Sequence, residues 1–222
     1  MPGTHVDARA LTVSLAGRIR RWAKRSLSRK RNVSRADFLH DGKWNYEYVD
    51  QFAYGDETSY RKGMAYLDGH GVIEDWGCGT AWAKRYVTKS TYVGIDSSKS
   101  RFADKVVDLR SYTSTADCIF IRHVLEHSTD WEAILDNAVA SFQRRMALVI
   151  FTPFGDQTRQ IATYAGIPDI SFNEADLTAH FRGLRYSQET LMTNTQYGLE
   201  RIYLIEKAPA EAPPAGAESS PA

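Results

Sequence analysis

From about residue 70 the chain alternates between short apolar runs and stretches with helical spacing. Residues 71–76 form an apolar run closed by glycines, which predicts a buried strand, and residues 81–87 follow as a helix. Residues 91–96 predict a second strand, 105–108 a short third, 117–121 a fourth, and 146–151 a fifth, rich in Leu, Val and Ile. Ile134, Leu135, Ala138, Val139 and Phe142 fall on one face of a helix between the last two. Residues 184–186 and the alternating segment 200–206 predict a closing antiparallel hairpin. Strands separated by helices pair in parallel and carry helices on both faces. The expected class is therefore α/β: a doubly wound, mostly parallel sheet with a final antiparallel strand, in three αβα layers.

The flanks differ from this core. Residues 1–35 hold ten Lys/Arg against one acid, Asp7, so this arm carries +9 within a chain of net charge +1. Leu11, Leu15, Ile19 and Trp22 follow helical spacing in it. Three readings stay open: a basic amphipathic helix docked on its own domain, an arm (residues 9–35) for an anionic membrane surface or another polyanion, or an organellar transit segment. Residues 36–70 are rich in aromatics (Trp44, Tyr46, Tyr48, Phe52, Tyr54, Tyr60), and form either a lid over a site or a cover for the sheet. Residues 208–222, with four prolines, predict a disordered tail after a domain at 36–207. No apolar run reaches the length of a membrane span. The two cysteines cannot build a disulfide scaffold, which fits a reduced, cytoplasmic compartment.

The candidate chemistry lies after the first strand, in Asp75-Trp76-Gly77-Cys78-Gly79-Thr80-Ala81. Two glycines between a strand and a helix let the backbone approach a ligand closely. Asp96 ends the next strand, where a carboxylate can accept from both hydroxyls of a ribose. A dinucleotide turn wants a third glycine where this chain has the bulky Trp82, and no Walker lysine is present.

Asp75-x-Gly77-x-Gly79 resembles motif I of the class I methyltransferases that use S-adenosylmethionine, of the type 11/12-like branch. The segment Arg122-His123-Val124-Leu125-Glu126-His127 resembles one found after their fourth strand, and the resemblance spans roughly residues 60–207. It implies the cofactor S-adenosylmethionine and a cofactor site of Asp75, Trp76, Gly77, Gly79, Asp96, Ser97, Asp108, Leu109 and Arg122. In it, Asp75 orients the glycine turn, Asp96 holds the ribose and Asp108 faces the adenine amino group. The third glycine of motif I is Ala81 here, and the Lys-Pro-Gly-Gly turn before strand five is replaced by residues 143–146.

His127 and His123 are the candidate general bases, since imidazole can take an acceptor's proton near neutrality. The same residues spell H-x-x-E-H, a zinc-hydrolase pattern, but the position after a buried strand argues against that chemistry, and no metal is expected. Residues 152–156 and Arg159 are candidates for contact with the methyl acceptor. The expected activity is O-methylation of a small molecule or a glycan sugar. RNA methylation through the basic arm is the alternative, made less favourable by the acidic remainder of the chain. A non-catalytic cofactor-binding module is a third.

Overall fold

The computed structural model describes residues 39–40 and 43–208. The basic arm and the tail beyond residue 208 lie outside the described residues. Strands β1 (Leu39–His40) and β2 (Lys43–Tyr46) pair antiparallel, and helix α1 (Thr58–Leu67) follows. Then come β3 (Val72–Trp76), a 3₁₀ turn at Trp82–Tyr86, β4 (Thr91–Asp96), β5 (Lys99–Ser100) and β6 (Lys105–Val106). The second half holds β7 (Cys118–Arg122), a 3₁₀ turn at Leu125–His127, α2 (Trp131–Ser141) and β8 (Arg145–Ile150). It closes with the hairpin β9 (Arg159–Tyr164) and β10 (Ile167–Ser171), α3 (Glu174–Thr178), β11 (Arg185–Met192) and β12 (Leu199–Glu206).

Seven strands form the central sheet in the order β11-β12-β8-β7-β3-β4-β6. The five from β8 to β6 run parallel, and β12 runs antiparallel to both its neighbours. This is the expected class. Among the described residues, no helix is long and apolar enough to cross a membrane.

The burial pattern explains the layering. Every residue of β7 is buried, because both its faces are covered. Ile119 and Ile121 join Met146, Leu148 and Ile150 in a cluster with α2 residues Trp131, Ile134, Leu135 and Ala138. Cys118 and Phe120 face the other way, with Ala147, Val149 and the α1 residues Met64 and Leu67. Helix α1 can lie close because Gly63 has no side chain; a Cβ there would stand 2.5 Å from the Phe120 ring. Glu74, buried mid-strand in β3, accepts from Trp76 Nε1, Tyr112 and Ser114, so its burial leaves no uncompensated carboxylate.

One expectation is corrected, and one element is added that the pattern did not predict. Residues 81–87 are not an α-helix but a five-residue 3₁₀ turn at Trp82–Tyr86. Ala81 takes the left-handed conformation (φ 52°, ψ 38°), so no helix can start before Trp82, and the backbone is extended again at Val87. The tighter winding eclipses residues three apart, and the Arg85 guanidinium lies 4.3 Å from the Trp82 ring. The added element is the β9–β10 hairpin over residues 159–171, closed by a two-residue Ala165–Gly166 turn with both φ angles positive.

Candidate functional site

The chain runs outward from β3 through β4 to β6, then returns to place β7 on the other side of β3. The strand order reverses there, and the carboxyl ends of β3 and β7 open a crevice of the kind that holds ligands in such sheets. A cavity of about 260 Å³ occupies it, bounded by the Gly77–Thr80 turn, Asp96–Ser98, Asp108–Arg110, Arg122–Val124 and His127. Trp44, Tyr46, Phe52, Tyr54 and Tyr60 form an aromatic wall, and Ser128, Ile134 and Ile167 complete the lining. Of the sequence-derived cofactor residues, Gly77, Gly79, Asp96, Ser97, Asp108, Leu109 and Arg122 meet here, with both histidines.

The glycine turn is held from inside. The amides of Gly77 and Cys78 both donate to the Ile95 carbonyl (2.8 and 3.0 Å), and Ala81 N–H donates to the Cys78 carbonyl (2.7 Å). Gly79 N–H donates to Asp96 Oδ2 (2.7 Å), while Ser98 N–H donates to Oδ1 (2.8 Å). Burial raises the Asp96 pKa, and these two amides oppose the rise. The Ser98 hydroxyl and the Ser97 amide act on the same carboxylate, so a ligand hydroxyl at Asp96 would share its oxygens with the chain's own donors. A loop that cradles phosphate turns its amides outward. This one spends four of them on its own chain.

Two expected contacts do not reach the cavity. Trp76 is fully buried in the α2-side core, where Nε1 donates to Glu74 Oε2 (3.0 Å). Strand alternation sends Asp75 to the opposite face, where it accepts from the Tyr92 hydroxyl (2.5 Å). The carboxylate that clamps the turn is therefore Asp96. Burial lifts the Asp75 pKa to about 7, helped by the nearby Asp96 and opposed by Tyr92 and Arg122. Asp108 lies at the exposed mouth and accepts from the backbone N–H and the guanidinium of Arg110, which lowers its pKa. Leu109 beside it is buried.

Arg122 lines the cavity, but its guanidinium serves the protein. It donates to Ser59 Oγ (2.8 Å), the Tyr54 carbonyl (2.7 Å) and Glu200 Oε1 (2.5 Å), and lies over the Tyr60 ring. Glu200, fully buried on β12, also has His123 Nε2 at 2.5 Å. His123 adopts a left-handed backbone (φ 57°), and its ring packs on Tyr54 and Phe151. His127 is placed differently. Its Nδ1 lies 3.0 Å from the Pro168 carbonyl and 3.2 Å from Asp169 Oδ1, both on β10. The strained His123 and the 3₁₀ turn after it keep the two histidines off a common α-helical face, the arrangement an H-x-x-E-H zinc site requires. Among the described residues, no group of three or more His, Cys, Asp or Glu is placed to hold a metal ion. Glu126 between them is fully buried and accepts from Phe151 N–H (2.7 Å), and burial lifts its pKa to about 7.

The aromatic segment is tied to the glycine turn. Thr80 Oγ1 donates to the Phe52 carbonyl (2.8 Å), and Gln51 Nε2 donates to the Thr80 and Ala81 carbonyls. Its later part, α1, packs on the sheet. A second groove, about 620 Å³, meets the cavity at Ser97, Asp108, Arg110, His127 and Ser128. Of the acceptor-loop candidates, neither residues 152–156 nor Arg159 lines the cavity or the groove. Sequence reasoning missed Glu200, Asp169 and Tyr197. Glu200 had a signal, since it shares the inward parity of Ile202 in an alternating strand, whereas Asp169 had none.

No family model matches the chain, and a search of curated proteins gives no significant match. Solved structures do resemble it. The 1,6-didemethyltoxoflavin-N1-methyltransferase of Burkholderia thailandensis, solved with 1,6-didemethyltoxoflavin and S-adenosylhomocysteine, superposes with a TM-score of 0.56 at 17% identity, over 68% of this chain and 78% of that one. The magnesium protoporphyrin IX methyltransferase of Synechocystis PCC 6803, solved with S-adenosylmethionine, gives 0.51 at 16% identity, over 68% and 79%. At such identities the likeness is one of architecture, and the architecture of this chain is the class I methyltransferase fold.

Proposed function

We propose that the protein is a methyltransferase of the type 11/12-like branch that binds S-adenosylmethionine at the switch point and methylates an oxygen of a small molecule or a glycan sugar. The observation that carries this reading is the inward use of the loop amides beside a ribose-placed carboxylate. A turn that spends its N–H groups internally is a poor seat for a pyrophosphate. Asp96, at the strand end beside the turn, stands where a carboxylate can meet ribose hydroxyls while sharing its oxygens with the chain's own donors. Buried Leu109 and Ile134 give the far end an apolar lining for a nucleobase. Asp108 can meet an adenine amino group there only by sharing oxygens with Arg110.

The bound cofactor supplies a methyl group that its sulfonium makes electrophilic. The chain's own residues do the rest. Gly77 and Gly79 let the backbone pass close to the ligand. Trp44, Tyr46 and Tyr54 exclude water from the wall facing the turn. His127 stands where cavity and groove meet and takes the acceptor's proton. His123, drawn to Glu200, orders the rim instead. Beside Val106, Val107 and Pro168, the groove presents Ser97, Asp108, Arg110, Ser128, Thr129 and Asp130, hydroxyls and charges that suit a polyhydroxylated acceptor.

The test has two stages. Asp96→Ala should weaken S-adenosylhomocysteine binding by about 2–3 kcal/mol in calorimetry, since two hydroxyls lose a charged acceptor. Unchanged affinity would overturn the site. The wild-type chain is then incubated with methyl-labelled cofactor and fractionated small-molecule, glycan and RNA pools. Label should enter one of the first two, and His127→Ala should abolish transfer while leaving cofactor affinity intact.

A further inference from the structure

The β9–β10 hairpin leaves the sheet between β8 and β11 and sets its second strand against the Leu125–His127 turn. It gives Ile167 to the cavity wall, and it also carries buried polar atoms to one edge of a single ring. The Pro168 carbonyl and Asp169 Oδ1 both face His127 Nδ1, at 3.0 and 3.2 Å. Asp169 is 1% exposed, and the Tyr197 hydroxyl donates to its Oδ2 (3.2 Å). Trp44 and Phe151 both pack on the His127 ring, with centroids 5.2 and 5.5 Å away.

We propose that Asp169, steadied by Tyr197, is a positioning residue that keeps the His127 proton on Nδ1 and leaves Nε2 as the nitrogen that receives the acceptor's proton. A ring nitrogen facing a carbonyl and a carboxylate is held as N–H, because both partners only accept. The neutral ring then carries its lone pair on Nε2, the nitrogen not engaged by these two acceptors, on a residue that lines the cavity. Once Nε2 has taken the proton, the ring is an imidazolium and the Asp169 carboxylate beside it compensates the charge. Other ionisable groups near the ring are Glu126 on the same turn and Asp108, Arg110 and Asp130 along the groove. The hydrogen bond at Nδ1 goes to none of these but to the Pro168 carbonyl. The inference rests on His127 being the base of the proposed reaction, but the proton's location can be read without any acceptor.

The experiment is long-range ¹H–¹⁵N NMR of the full chain labelled at histidine, with His127→Gln used to assign the ring. In wild type the neutral ring should be the Nδ1–H form. Finding mainly Nε2–H overturns the proposal, whether or not any variant folds. In Asp169→Asn, the Tyr197 hydroxyl holds the amide oxygen at the Oδ2 position, which turns the amide NH₂ toward His127 Nδ1. The Nε2–H population should rise. Adding Tyr197→Phe frees the amide to flip and should restore Nδ1–H. An unchanged tautomer in Asp169→Asn means that the Pro168 carbonyl suffices and Asp169 is a bystander, which also overturns it. With an acceptor in hand, Asp169→Asn should lower kcat at least tenfold, with KM and S-adenosylhomocysteine affinity within twofold of wild type. If wild type transfers no methyl group to any pool, the proposed function fails, while the tautomer result stands on its own.

Discussion

Replacing Gly77 with alanine attacks the point where the two rims of the cavity touch. Gly77 sits at φ 78°, and a Cβ there would stand 2.2 Å from Val124 Cγ2, with Val124 Cβ and Cγ1 at 3.5 and 3.6 Å. Two costs follow. A left-handed backbone disfavours any β-carbon by about 1–2 kcal/mol. Overpacking against a stiff β-branched side chain costs about 1–3 kcal/mol more, because rotating Val124 only exchanges one methyl for the other. Lower chain entropy in the unfolded state returns about 0.4–1 kcal/mol. The expected net loss is about 2–4 kcal/mol, read from urea unfolding. Val124→Ala separates the two costs: with both methyls gone, the nearest Val124 atom is at ordinary contact distance, so only the backbone cost remains. Gly77→Ala should then be milder in the Val124→Ala background by about 1–3 kcal/mol, the coupling energy of a double-mutant cycle. A loss under about 1 kcal/mol in wild type, or the same loss in both backgrounds, would refute the claim that the turn and the Arg122–His127 segment are wedged against each other.

Two further substitutions probe the same turn. Burial, aided by Asp96, raises the Asp75 pKa to about 7, so the folded chain keeps a proton there that the unfolded chain gives up near pH 4. Stability from this group therefore falls as pH rises from about 4 to 7, and Glu126, also raised to about 7, adds in the same direction. Asp75→Asn should stabilise the chain above pH 7 by on the order of 1–3 kcal/mol in urea unfolding, with the gain fading by pH 4; a gain independent of pH would contradict the assignment. Ala81→Gly relieves a left-handed residue but loses a buried methyl and adds chain entropy, so its unfolding free energy should stay within about 0.5 kcal/mol of wild type. The same change at Ala138, buried inside α2, should cost about 1.5–2 kcal/mol, and equal losses at the two sites would show that Ala81 is unstrained.

How far the sequence reached depended on whether local pattern and tertiary packing agreed. β7 and β8 were legible because strands covered on both faces must be apolar throughout, and α2 because its buried face repeats at helical spacing. Gly77, Gly79 and Asp96 were legible for a related reason: a close turn and a strand-end carboxylate are local demands that residue type and spacing record directly. The β9–β10 hairpin was not, since β9 is exposed on nearly every residue and shows no alternation, and its Ala-Gly turn lacks the usual Asn or Asp. The 3₁₀ turn at Trp82 was hidden because Ala81 takes a conformation that residue type does not announce.

The residue order alone determined the architecture and pointed to Gly77, Gly79 and Asp96, which line one cavity, because periodicity and the spacing of a turn from the next strand end are local properties. Only the tertiary structure decided which side chains serve the crevice. It turned Asp75 and Trp76 away from it by strand alternation, bound Arg122 and His123 to a carboxylate 78 and 77 positions distant, and set Asp169 behind His127. Such pairings join segments far apart in the chain, and no local pattern encodes the partner that folding brings to a charged group.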